Sequence, residues 1–287
     1  MRSALARPGR ARLAGIAGVA LIGTMAMSAV TEALTQVLPD LRMSRPTDVR
    51  VTTSSSGRRL LRLTTTIVNV GRGRFELVAV RPNANTMIMQ VQQRIWRNDG
   101  TTRYVTTNGS ARYAGDGHDH WHIRRVASYD LVDSRGRAIR RDSKIGFCFF
   151  DTGVYDSGLP GYRPVKRYWE SGCGGRSTLR ATMGISVGWG DTYGSGLAYQ
   201  WIDVTGVAAG TYWIVVTADK DNNYLESNEA NNCSWAKVRL TSGATSVSTL
   251  SRGQGCTPPG VGPTPTPKPS PPPSASPSLL PSASPGP

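Results

Sequence analysis

The chain has 287 residues, a formal net charge of +15, four cysteines and three histidines. That length allows one large domain or two small ones, and the charge makes nucleic acid the first partner to test. The basic residues are scattered through strand-like stretches, with no basic helix and no RNA-binding signature. Nucleic acid is therefore not expected, and acidic wall polymers or acidic protein surfaces are the anticipated neighbours.

Arg2, Arg7, Arg10 and Arg12 open the chain, an apolar run follows from Leu13 to Val30, and small residues stand at Ser28, Ala29 and Ala33. This is the order of a secretory signal peptide over 1–33, cleaved after Ala29 or Ala33. An uncleaved anchor is the alternative, but so many Gly, Ala and Ser residues make a weak span. The mature chain is expected to be secreted or held at the cell surface, without a stable membrane span.

The segment 38–256 is long enough for a sizeable core, and its patterning has period two. Leu61, Leu63, Thr65 and Ile67 alternate with their neighbours, as do Met87 to Trp96 and Val126 to Asp133. IGFCFF, AYQWIDV, GTYWIVVTA and SWAKVRL are further strand candidates. Short alternating runs between Gly, Pro, Asn and Asp clusters predict an all-β fold, an antiparallel β-sandwich with long irregular loops. Gly71 and Gly73 are expected to supply unusual dihedrals to a tight turn. The stretch from Asp151 to Trp189 is long, irregular and rich in Gly and aromatics, which marks a functional loop.

All three histidines fall in G-His118-Asp-His120-Trp-His122-Ile. On a strand, alternate residues share a face, so His118, His120 and His122 would project together. Three neutral imidazoles suit a borderline metal such as copper or zinc, with a coordination position left for water, oxygen or substrate. Three polar residues on a sheet edge are the bland alternative. A zinc hydrolase would also want a nearby Glu as base, and no HExxH arrangement is present.

Cys148, Cys173, Cys233 and Cys256 make an even count, which reads as two disulfides in an exported chain. Sequence order favours Cys148–Cys173 and Cys233–Cys256, loops of about 25 residues, each stabilising by about 3 kcal/mol in the chain-entropy model. Between Asp219 and Asn232 acidic and amide side chains crowd together, and the spacing E-x-N-x-x-N-N from Glu226 suits a hard cation such as calcium. An Asn-rich structural turn is the alternative there. From Thr257 to Pro287 the composition turns to Pro, Ser, Thr and Ala, a disordered tail by composition.

The histidine block resembles the copper-binding H-x-H-x-H strand of the lysyl oxidase family, and further blocks match in order. They are YDLVD (Tyr129 to Asp133), Lys144-I-G-F-Cys148-F-F-Asp151-Thr152, G-Asp191-Thr192-Tyr193, Gln200-W-I-Asp203-V-T and Gly210-T-Tyr212. The resemblance runs from Leu38 to about Leu240. It implies a secreted oxidoreductase, similar to protein-lysine 6-oxidase, that uses copper and O2 to turn primary amines into aldehydes, releasing ammonia and hydrogen peroxide. Peptidyl lysine of extracellular proteins or small amines would be the substrates. It also implies a lysine tyrosylquinone made from Lys144 and Tyr193. Taken alone, these two would be a strand-end lysine and a core aromatic. Lys166 is the fallback lysine, but its surroundings match no family motif. Asp191 and Asp203 are the candidate catalytic bases.

Family calcium sites carry an E-x-D-x-x-N-N segment and an Asp-Leu pair near the domain start. The matching positions are Asp40 and Leu41 (through its carbonyl) with Glu226, Asn228, Asn231 and Asn232. Asn228 replaces an aspartate, which should weaken the site. Gly117 stands where the animal enzymes have a cysteine, and an insertion around Gly153 to Gly175 lengthens the Lys144–Tyr193 interval. The Arg-rich leader and Pro/Ser tail look bacterial, so collagen and elastin are poor guesses. A non-catalytic extracellular copper-binding module, a zinc hydrolase and a wall-binding adhesin are the rival readings.

Overall fold

Apolar side chains recurring at every second position leave the backbone one way to bury them, as strands whose alternate residues share a core face. The computed structural model describes residues 35–114, 118–142, 144 and 146–262. The 1–33 leader and the tail beyond Gly262 lie outside the described residues.

The first half carries β1 (Gln36–Val37), β2 (Leu41–Met43), β3 (Thr47–Thr53), β4 (Arg59–Asn69), β5 (Phe75–Val80), β6 (Ile88–Arg97), β7 (Thr102–Tyr113), β8 (Trp121–Arg124) and β9 (Ala127–Val132). The second half carries β10 (Ala138–Arg141), β11 (Gly146–Phe147), β12 (Gly153–Val154), β13 (Arg180–Ile185), β14 (Trp189–Tyr193), β15 (Trp201–Asp203), β16 (Gly210–Ala218), β17 (Cys233–Leu240) and β18 (Val247–Gln254). Short 3-10 turns occupy Glu170–Cys173 and Ser242–Ala244. Among the described residues no helix is long and apolar enough to cross a membrane.

The chain is all-β, and its strand pairs are antiparallel. They form three sheets. One runs β11-β8-β7-β6-β5-β13 with β1 beside β6, and a second runs β10-β9-β16-β17-β18. The third is built on β4, whose C-terminal half pairs with β2 and β14 and whose N-terminal half pairs with β3 and β15. Leu61, Ile67, Phe75, Leu77, Met89, Ile214 and Val216 bring all three sheets into one core. Full burial of each such side chain stabilises by about 1.5–3 kcal/mol.

The turn after β4 carries the chain from one sheet to another, and its glycines serve a different purpose from the one expected. Neither Gly71 nor Gly73 has a positive φ. A Cβ on Gly71 would stand 2.4 Å from the Asp40 amide nitrogen, and one on Gly73 would stand 1.8 Å from the Val37 carbonyl oxygen. Close backbone approach, not dihedral freedom, requires glycine here. The irregular stretch from Asp151 is interrupted by β13, which pairs residue by residue with β5. The structure joins Cys148 to Cys173 and Cys233 to Cys256, with no other cysteine left over. Past Cys256 the chain stays on the domain for several residues. Pro258 is buried, Val261 packs against Val132, Trp213 and Trp235, and the Gly262 amide donates to Ser134 O at 3.0 Å.

Candidate active site

Only His122 of the three histidines lies in a strand, so their convergence does not come from strand alternation alone. His118 and His120 precede β8 outside any strand, and the Ala114 amide donates to His120 O at 2.9 Å. Trp121 points away into the core, its indole nitrogen donating to Gly175 O at 3.0 Å. The segment still gathers the three rings. One ring nitrogen from each lies within 4.8 Å of the others, and His120 Nε2 is 2.9 Å from His122 Nε2. That donor set can hold a metal ion.

β11 lies against β8, with Phe147 opposite Ile123. A Cβ on Gly146 would stand 2.9 Å from His122 Cβ and 3.0 Å from its Nδ1, so glycine lets β11 run past the imidazole. The Cys148–Cys173 bond ties the end of β11 to the 3-10 turn that carries Glu170. Glu170 Oε1 is 3.7 Å from His120 Nδ1, a carboxylate that can orient the ring. No sequence pattern marks Glu170; its one signal is a place three residues before a cysteine.

Lys144 is buried, and its Nζ lies 4.9 Å from the centroid of the Tyr193 ring and 5.2 Å from that of Phe147. Tyr193 ends β14, opposite Thr65 of β4, and its hydroxyl donates to Cys148 O at 3.0 Å. The Phe147 ring meets it edge-on at 5.1 Å. Burial, reinforced by the Asp191 carboxylate, pushes the Tyr193 phenol well above its ordinary value. Asp191, on the same strand, is buried with Oδ2 lacking a hydrogen-bond partner among the described residues. Burial raises its carboxyl to about 8, with the charge of Lys144 opposing the shift.

One cavity of about 260 Å³ is lined by His118, His120, His122, Lys144, Asp191 and Tyr193, with Glu170, Phe150 and Leu197 also on its wall. Asp203 is not among its lining. Its Oδ1 accepts from the Thr205 amide at 3.0 Å and hydroxyl at 2.6 Å, and its Oδ2 is 3.7 Å from Arg58, which makes it a turn acid. Lys166 lies elsewhere too, its Nζ 5.0 Å from the Phe150 ring and 4.3 Å from the Trp169 ring. Asp151 binds the irregular loop together, accepting from the Arg167, Tyr168 and Ser186 amides.

A second acidic centre forms where the loop after β16 meets the start of β2. Glu226 is buried, accepting from the Leu41 amide and, at 3.2 Å, from Asn232 Nδ2. Oxygens of Asp219, Glu226 and Glu229 lie within 4.8 Å of one another. Asp40 Oδ1, Asn231 Oδ1 and Asn232 Oδ1 are buried without a hydrogen-bond partner among the described residues. Asn228 instead caps its own turn, accepting from the Ala230 amide at 3.0 Å. Asp219 and Glu229 belong to the acidic stretch noted in the sequence but were not among its expected ligands. Burial, with the charges of Glu229, Asp219 and Asp40, raises the Glu226 carboxyl to about 9.

The sequence model of the lysyl oxidase family matches residues 81–249. Protein-lysine 6-oxidase of Gallus gallus is 30% identical over 167 residues, which is 56% of this chain and 36% of the relative. The Homo sapiens protein of the same name is 28% identical over the same shares. Lysyl oxidase homolog 4 of Mus musculus is 30% identical over 176 residues, 61% of this chain and 18% of the relative. The chain thus spans about a third of the length of the first of these relatives, 36%.

Proposed function

This chain belongs to the lysyl oxidase family, and on that premise we propose that it is a secreted, copper- and quinone-dependent oxidase of primary amines. The observation that carries the reading is the single cavity lined by three histidines, Lys144, Tyr193 and Asp191. The reaction converts an amine R–CH2–NH2, O2 and water to the aldehyde, ammonia and hydrogen peroxide. The carbon loses two electrons, and dioxygen takes them up. The amine is a lysine side chain of an extracellular protein or a small alkylamine.

His118, His120 and His122 would hold the copper, imidazole being a good ligand for it. When bound, copper and the quinone made from Lys144 and Tyr193 supply the two-electron acceptor. The chain's own groups do the rest. Lys144 and Tyr193 are near neighbours, the Lys144 Nζ 4.9 Å from the Tyr193 ring centroid, with both packed against Phe147. Asp191, in its ionised form, is the base that takes the α-proton of the amine. Burial raises its carboxyl to about 8, which makes that carboxylate a stronger base than an exposed one, and its ionised fraction grows as pH rises toward 8. Asp203, committed to its turn, has no part in this step. Replacing Asp191 with Asn should lower kcat by about 10²–10⁴-fold with copper content unchanged. A variant that oxidises amines at the full rate would remove Asp191 from the mechanism.

Secretion is supported by the signal-like leader, by two disulfides and by the lack of any other cysteine. The second centre is proposed to hold calcium through Asp40, Asp219, Glu226, Glu229, Asn231 and Asn232, oxygen donors that suit a hard cation. A Glu226 proton retained up to about 9 means that the folded protein binds more protons than the unfolded chain from the ordinary carboxylate range up to that pH. Its contribution to stability is full below that range and is lost as pH rises toward 9. A dication replaces the proton, so saturating calcium should raise Tm by about 5–10 °C, and more so at alkaline than at acid pH. Thermal melts with calcium and with EGTA check this; identical melts across the range would rule the site out.

The direct test of the whole reading is peroxide and ammonia release from an n-alkylamine by copper-loaded protein in air. Both products in equal amount, blocked by a carbonyl reagent, are expected. Full copper occupancy with no product would leave a copper-binding module.

A further inference from the structure

Away from the redox cavity lies a larger cleft of about 560 Å³, more than twice the 260 Å³ of that cavity. Its charged lining is all of one sign: Arg72, Arg74, Arg97, Arg163, Lys166 and Arg167, with no Asp or Glu among the residues that face it. Among the described residues none of these six cations forms an ion pair. Two acids near the cleft are already committed: Asp151 accepts from the Arg167 amide at 2.9 Å and the Ser186 amide at 2.8 Å, and Glu76 accepts from Arg94 Nη1 at 2.8 Å and the Tyr168 hydroxyl at 2.6 Å.

Two donors in the cleft wall lack an acceptor. Arg74 stands over Trp96, its guanidinium carbon 3.8 Å from the ring centroid, and Arg94 flanks the same ring at 5.0 Å. That contact restrains the Arg74 fork. Arg74 Nη1 and Trp96 Nε1 are both buried without a hydrogen-bond partner among the described residues. Leaving buried donors unsatisfied is costly, and that cost disappears when an acceptor arrives. The ligand that fits has acceptors only, carries negative charge and is larger than one oxyanion.

We propose that this cleft binds an extended polyanion through successive phosphate groups, docking the protein on a phosphate-bearing extracellular polymer. Arginine forks match phosphate bidentately. The position is apt: Lys166 of the cleft lies 5.0 Å from the Phe150 ring, and Phe150 lines the redox cavity. A docked polymer would run beside that cavity without entering it. The cleft does not depend on the redox assignment, so either can fail alone.

The test uses the full chain near physiological salt with long-chain inorganic polyphosphate and poly-glutamate as probes. The triple variant Arg72→Gln, Arg97→Gln, Arg163→Gln is compared with Arg135→Gln, Arg239→Gln, Arg252→Gln, an equal charge change on exposed residues outside the cleft. The cleft triple should weaken polyphosphate binding by more than about tenfold, the control triple by less than about threefold, with alkylamine oxidation unchanged in both. Poly-glutamate should bind more weakly than polyphosphate; comparable binding would overturn the phosphate assignment. In the unmodified protein, polyphosphate should protect Lys166 but not Lys237 from acylation, a readout that needs no variant. Equal losses in the two triples, or no binding of either polymer, would overturn the proposal in favour of diffuse charge attraction.

Discussion

Copper-loaded Tyr193→Phe protein is expected to bind its metal and release no peroxide, with activity down by at least about 10⁴-fold, the scale seen when an essential reacting group is removed. Quinone formation needs the phenol oxygen, and phenylalanine has none. The substitution keeps the ring that Phe147 meets edge-on and removes only the hydroxyl that donates to Cys148 O. One unsatisfied carbonyl costs about 1–3 kcal/mol, which a domain with this core and two disulfides should survive. Lys144→Arg should match the loss, because a guanidinium is not a nucleophile at accessible pH. The two variants together separate cofactor assembly from metal binding. Copper content by mass spectrometry and peroxide by a coupled assay check both halves. Lasting activity in either variant would break the assignment of the pair.

His122→Ala should weaken copper binding by more than about 100-fold, beyond the 10–100-fold expected for a mere orienting neighbour of a ligand. It sits in β8 between β7 and β11, opposite Arg112, and Gly146 abuts its imidazole. Its ring is therefore the most constrained of the three, and neighbouring residues cannot swing into its place. Loss of the metal should carry the cofactor with it, so amine oxidation vanishes too. Competition against a chelator of known affinity reads the first effect. Unchanged affinity would mean that His118 and His120 hold the metal without it.

What could be read from residues alone follows from where each signal resides. Alternation in β4, β6 and β16 is local and strong, so those strands were legible. β7 was missed because TRYVTTNGSARY is polar along almost its whole length, with burial confined to a few positions. The histidine cluster was legible as a cluster, yet two of its members reach the site from outside any strand, where period-two reasoning does not apply. Lys144 and Tyr193 lie 49 residues apart and carried meaning only through the blocks around them. Asp191 and Asp203 were indistinguishable in sequence. Burial in β14 separates one from the Thr205 turn that holds the other. Glu170 joins its centre through long-range packing, to which no spacing rule points, whereas Asp219 and Glu229 lie inside the acidic stretch 219–232 but at no ligand position of its E-x-N-x-x-N-N spacing. Asn228 also meets a local demand, its Oδ1 accepting from the Ala230 amide of its own turn.

The central claim is that Lys144 and Tyr193 become one cofactor. It is tested most directly by peptide mapping of protein matured with copper in air. The account predicts a peptide joining Lys144 to Tyr193 at the mass of the quinone cross-link, absent when copper is withheld. Full copper occupancy with both residues recovered unmodified would contradict it and leave a metal-binding domain without oxidase chemistry.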